Sequence, residues 1–278
     1  MKTVWFIGII LVLGHSAVAS ADDSIAEAQL RKIYVGTQQL LRHFYDADTL
    51  KFDSDGNPRN QGKEGPWTLL SDVSVDDLHL KSGKLTLYGH RNALMFDDQN
   101  KKLRAIRLDQ AVWIEVELQD GADQNVKLAA ALNQVFVAPR DLATAVPDYW
   151  RDYVARLMGN QGQGANCSNL RTDNDPLPQK DESVTSISSA TAVGMKIHDV
   201  FPIYLPFARQ ARIEGQVFLK AVIDKSGNVS QLCISHALGA GLDDSAADAI
   251  RQWKYRPYML NGKPMEVETD ISVKFSIR

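Results

Sequence analysis

A chain of 278 residues with 44% hydrophobic content has room for two domains of ordinary size. Its 31 Lys and Arg against 34 Asp and Glu leave a net charge of -3. With no aromatic-plus-basic cluster, this weighs against nucleic acid or an anionic membrane surface as partner. The two cysteines, Cys167 and Cys233, are too few for a disulfide-built scaffold or a paired-Cys zinc motif.

Lys2 precedes an apolar run from Val4 to Leu13. His15 and Ser16 break it, and "AVASA" at 17–21 offers small-residue cleavage sites after Ala19 or Ala21. Residues 1–21 thus have the layout of a secretory signal peptide. The run is only about half of the roughly 20 residues a spanning helix needs, so an uncleaved anchor is the second reading. No cysteine near the cleavage site suggests a lipoprotein. The expected location is the periplasm, soluble after cleavage. The alternative is the inner membrane, facing the periplasm.

Residues 22–158 read as an α+β domain. Residues 22–41 are a helix candidate, and "DSDGNPRNQGKEGP" at 53–66 is turn and loop chemistry. From Trp67 to Asp120, alternating runs separated by turns at "KSGK" and "DDQNKK" predict an antiparallel sheet of short strands. Val126–Val137 carries Leu128, Leu132, Val135 and Phe136 on one helical face. A second helical stretch, 141–157, is broken near Pro147. Residues 159–197 hold few large apolar side chains and read as a flexible polar linker, about 100 Å long if fully extended.

Residues 198–278 read as a small domain in the order helix, strand, strand, helix, strand, with an antiparallel three-stranded sheet. "GQVFLKAVID", "KSGN" and "VSQLCIS" form a hairpin. Leu242, Ala246, Ala249, Ile250 and Trp253 recur at helical spacing up to Pro257. The last segment, Met265–Arg278, holds period 2. Val267, Thr269, Ile271, Val273, Phe275 and Ile277 fall on one side, and Glu266, Glu268, Asp270, Ser272, Lys274 and Ser276 on the other. It is a long half-buried strand, which raises the question of what pairs with its other edge.

These last residues resemble the C-terminal domain of the TonB family. The resemblance rests on Pro202, Tyr204 and Pro206 ahead of Ala208, on "ARIEG" ending at Gly215, and on "VFLKAVIDKSGNV" with Gly227 at the turn. It continues through "LDDSAADAIRQWKYRP" with Trp253 and Pro257, and "NGKP" before the last strand. Leu205 departs from the family, which commonly has Pro after the Tyr. The resemblance implies a non-enzymatic protein whose terminal strand, Glu266, Val267, Glu268, Thr269, Asp270, Ile271, Ser272 and Val273, is a partner-binding edge. An extended N-terminal segment of an outer-membrane TonB-dependent transporter would add there as an extra strand. It also implies inner-membrane proton-driven motor proteins as partners. The family's transducers keep an N-terminal membrane helix and a Pro-rich spacer, whereas here the apolar segment looks cleavable and the linker is polar. The alternative is a periplasmic adaptor or structural module that uses the same edge without transducing energy.

No catalytic, cofactor or metal site emerges. His15, His43, His79, His90, His198 and His236 fit no metal spacing, and there is no G-x-S-x-G or Walker A pattern. Asp53, Asp55, Asn57 and Glu64 match positions 1, 3, 5 and 12 of a calcium loop, but Pro58 stands where the loop needs Gly, which favours a solvated loop. Cys233 lies between Leu232 and Ile234. If those two face the helix, its thiol points out of the sheet, unusual in an oxidising compartment. Cys167 on the linker could reach it, so a Cys167–Cys233 disulfide is one expectation and two separate thiols the other.

Overall fold

The computed structural model describes residues 23–59, 62–81, 83–97, 102–118, 124–159, 167 and 184–277. The expected signal peptide at 1–21 lies outside them. Among the described residues, no helix is long and apolar enough to cross a membrane. The chain divides into two units, one made of residues up to Leu94 with Ala105–Ala145, the other of Met95–Arg104 with Val146 onward.

The first unit runs α1 (Asp23–Tyr34), β1 (Gln38–Leu40), β2 (Thr49–Phe52), α2 (Trp67–Leu70), β3 (Asp72–Lys81), β4 (Lys84–Asp97), β5 (Lys102–Glu117), α3 (Gln124–Val135) and α4 (Leu142–Ala145). Its sheet has the order β1-β3-β4-β5-β2, antiparallel except for β2 beside β5. The expected succession of short strands is in fact three long ones, and Trp67–Leu70 is helical rather than extended. In β3 the apolar positions change phase between the pairs Val73, Val75 and Leu78, Leu80, which period 2 alone does not allow. A β-bulge between Val75 and Asp77 absorbs the extra residue, so all four stay in the core. Leu85, Leu87, Ile114 and Val116 join them, as do Leu128, Leu132 and Val135 from α3. The bulged Asp76 accepts two hydrogen bonds from Arg107, at 3.0 and 2.8 Å, which hold its carboxyl below the usual range, with His90 adding to the effect.

The second unit begins with a 3-10 turn (Asp148–Trp150) and α5 (Arg151–Leu157). It continues through β6 (Thr185–Ser186), α6 (Ser189–Met195), β7 (Lys196–His198), α7 (Pro206–Gln210), β8 (Gly215–Ile223), β9 (Val229–His236) and α8 (Leu242–Ile250). The short strands β10 (Lys254–Tyr255), β11 (Tyr258–Leu260) and β12 (Lys263–Met265) lead into β13 (Val267–Phe275). From α7 to β13 this is the expected helix-strand-strand-helix-strand order with its antiparallel three-stranded sheet β13-β8-β9. β6 adds a short parallel member outside β13. The β8–β9 turn closes because the Asp224 carboxylate accepts the backbone N–H groups of Ser226 and Asn228 at 2.8 and 2.9 Å, with Gly227 at φ 84°. The same arrangement recurs at Asp53, where Asp55 and Asn57 donate at 3.0 and 2.9 Å and Gly56 also has φ 84°.

Two boundaries differ from the sequence reading. Residues 146–158, assigned to the upstream domain, belong to the second unit, where α5 and the 3-10 turn pack on β9. The linker read at 159–197 is folded from residue 185, as β6, α6 and the start of β7. Polar composition disguised it because these short elements satisfy their backbones on β13 and β10 and carry few core side chains.

Candidate peptide-binding edge

β13 pairs with β8 from Val267↔Ile223 to Phe275↔Gly215 without interruption. Its inward side chains, Val267, Thr269, Ile271, Val273 and Phe275, are buried. In an antiparallel ladder alternate residues turn both backbone groups to the partner, and those between turn theirs away. On β13 the outward set is marked by its bonds: the Glu268 carbonyl accepts Ile187 N–H at 2.8 Å and the Asp270 carbonyl accepts the Ser189 hydroxyl at 2.7 Å. Glu268, Asp270, Ser272 and Lys274 therefore present N–H and C=O groups to the outer edge.

The expected edge from Glu266 to Val273 is thus not uniform. Val267 and Glu268 pair with Thr185 and Ser186 of β6, and the Glu268 side chain takes a 2.8 Å hydrogen bond from Lys220, which raises the lysine's pKa. Glu266 precedes the strand. Thr269, Ile271 and Val273 alternate with the outward-bonding residues, so their backbones serve the ladder with β8 rather than the edge. Asp270 holds Ser189, and Ser272 comes next on the outer edge. Among the described residues, no strand pairs with that edge beyond Glu268.

Behind this edge the outward sheet face forms a groove of about 480 Å³ between Ser189, Phe218, Ser235, His236, Asp270 and Ser272. Phe218 is 39% exposed there and meets the His236 ring edge-on at 5.5 Å. Ser189 and Phe218 were not singled out from sequence. Phe218 carried a signal, an apolar residue at an outward position of β8, whereas the polar run around Ser189 carried none.

Farther across the same face, β9 is closed over. Leu232, Cys233 and Ile234 are all buried, because α8 covers one side of the strand and α5 with the 3-10 turn covers the other. Cys233 faces outward from the helix side as read, yet it is not exposed. Cys167 and Cys233 form a disulfide with a Cα–Cα distance of 5.7 Å. The calcium-loop ligands are not gathered: Asp53 is engaged by the backbone of its own turn, and Glu64 pairs with His43 at 3.0 Å.

Comparison with known proteins finds its matches in the C-terminal residues. The family profile described as Gram-negative bacterial TonB protein C-terminal matches residues 202–277. The chain is 37% identical to the Protein TonB of Vibrio cholerae over 79 residues, 28% of this chain and 32% of that protein. It is 31% identical to the Protein TonB of Xanthomonas campestris over 77 residues, 27% of this chain and 34% of that protein. The chain therefore spans about a third of the length of these curated relatives. A solution NMR structure of the Pseudomonas aeruginosa TonB CTD aligns over 30% of this chain and 84% of that one, at 20% identity and a TM-score of 0.26. The pattern of residues, the family profile and the curated relatives agree that residues 202–277 form a domain similar to the C-terminal domain of TonB proteins.

Proposed function

We propose that this chain is a non-enzymatic envelope protein tied to outer-membrane transport, whose C-terminal domain captures an extended segment of an outer-membrane transporter by strand addition. The observation that carries the reading is the outer edge of β13. Backbone groups of Asp270, Ser272 and Lys274 point away from the sheet, next to a groove floored by the half-exposed Phe218. Backbone pairing supplies affinity there and alternating side chains supply register. Glu268, Asp270 and Lys274 place charge on the edge and discourage pairing with a second copy.

Energy transduction from an inner-membrane motor is the finer form of this reading, and it needs attachment through residues 1–21 or through another subunit. The adaptor reading, without transduction, is supported by the path of the chain. Both α5 and Cys167 are fixed to β9, and β6 to β13, so the described residues on either side of 168–183 are held on the sheet of the second unit.

A photo-crosslinking residue at Ser272, on the full-length chain in its native cell envelope, tests the capture step. The expected product is a crosslink to the N-terminal extended segment of an outer-membrane transporter, with no such product from Gln252, in the turn just past α8. Crosslinks of equal yield from both positions, or none to a transporter from Ser272, would remove the edge as the docking site.

A further inference from the structure

The outer edge of β13 is already partly occupied, and by this chain itself. Thr185 and Ser186 run parallel to Val267 and Glu268, the Ile187 N–H bonds the Glu268 carbonyl, and the Ser189 hydroxyl bonds the Asp270 carbonyl. The Ile187 side chain packs against the buried group of Ala192, Ile223, Tyr255 and Val267. The attachment is slight. β6 is two residues long, Val184 is 41% exposed, and Ser186, Ser188 and Ser189 lie at the surface. This is the arrangement of a bound peptide held by few contacts: a two-residue parallel ladder, the Ile187 anchor with its backbone N–H, and one hydroxyl bond. It covers the start of the edge that the proposed partner would use.

We infer that residues 184–189 are a tethered stand-in for the partner segment, an intramolecular competitor that must leave the edge before a partner pairs along the whole of β13. The inference rests on the edge-capture reading above and adds its regulation and the chemistry of its ligand. The partner is an extended peptide that runs parallel to β13. It carries a β-branched apolar side chain where Ile187 sits, and it gains by continuing the ladder past Asp270 to Ser272 and Lys274, which the stand-in does not reach. Tethering gives the stand-in a high effective concentration despite its few contacts. A partner is therefore captured only when its longer ladder outweighs that advantage, which discriminates against short or poorly matched peptides.

The test uses the full chain and a fluorescent synthetic peptide of residues 183–190, "SVTSISSA", as the probe. In the Ile187→Pro chain the internal segment loses its backbone donor and its anchor, so the edge opens. This chain is expected to bind the probe at least tenfold more tightly than the wild type, in which the edge is filled. Ser189→Ala, which removes a single surface hydroxyl and spares the backbone, is expected to shift binding in the same direction by about threefold. Circular dichroism confirms that each variant remains folded. Equal affinity in all three chains, or capture by none, overturns the inference. The Ser272 crosslink separates the two ideas. A transporter crosslink that grows in Ile187→Pro supports both. One that is present but unchanged, while the Ile187 region exchanges its amide hydrogens faster in Ser189→Ala, overturns the competitor and leaves edge capture standing. A tightened probe in the absence of any transporter crosslink leaves the self-occupied edge intact and removes the transporter.

Discussion

The hydroxyl of Tyr149 donates to a carboxylate oxygen of Asp244 at 3.0 Å, joining the 3-10 turn before α5 to the first turn of α8. The Trp150 indole N–H donates to the same oxygen, also at 3.0 Å. A carboxylate this deeply buried is tolerable only with such donors around it. Burial, and then the charge of Asp244, pushes the Tyr149 phenol well above its ordinary range, so it stays a donor at every physiological pH. Tyr149→Phe leaves the ring in place and removes one donor from the charge. The expected loss is about 1.5–3 kcal/mol of stability, read by urea unfolding. A variant as stable as the wild type would mean that Trp150 and the other surroundings of Asp244 suffice.

Asp243, beside it, is fully buried and accepts the backbone N–H groups of Leu238 and Gly239. Burial pushes its pKa up to about 8, opposed by the Leu238 bond and reinforced by the Asp244 charge. The folded state then holds this proton to a higher pH than the unfolded chain does, whose carboxyl titrates near its ordinary 3.8. This contribution to stability is complete below about pH 4 and is lost as pH rises toward about 8, at up to about 1.4 kcal/mol per pH unit. Melting temperatures of the wild type and Asp243→Asn, compared at pH 6 and 8.5, read it directly. The wild type should fall more steeply between the two, and parallel lines would show that Asp243 does not titrate there.

The disulfide closes a loop with a sequence separation of 66 and pins residue 167 against β9. Constraining the unfolded chain in this way is worth about 4 kcal/mol on the loop-entropy estimate. Cys167→Ser and Cys233→Ser should each lower the melting temperature of the oxidised protein, and reductant should then have no further effect. A wild type insensitive to reductant after full thiol exposure would show that α5 holds its place on β9 without the bond.

Proline substitutions separate the two sets of backbone groups on β13. At Thr269 the N–H serves the ladder with β8, opposite Ala221. Thr269→Pro should therefore destabilise the domain strongly, because it removes a ladder hydrogen bond from a strand paired along its whole length. Ser272 turns its N–H outward, where proline is tolerated in an edge strand. Ser272→Pro should leave the melting temperature within a few degrees of the wild type while abolishing the transporter crosslink from a photoreactive residue at Lys274. Loss of folding in both variants would place the Ser272 N–H inside the sheet.

Much of the C-terminal unit was legible in advance because its information is local. The alternation of Val267 to Phe275, the helical spacing of Leu242 to Ile250 and the Asp224–Asn228 turn each depend on residues a few positions apart. The resemblance to the TonB domain came from the same residues. Tertiary structure alone decided the rest. Asp76 is a bulge because the core requires Val75 and Leu78 on one face, and period counting broke there. Cys233 is buried because α5, from far upstream, covers the face of β9 that alternation marked as outward. The edge of β13 is partly filled because Ile187 and Ser189 reach it with a backbone N–H and a hydroxyl. A backbone bond between distant segments leaves no side-chain period behind it. The sequence could therefore announce a strand with an open side, and only the folded chain could show that part of that side is already taken.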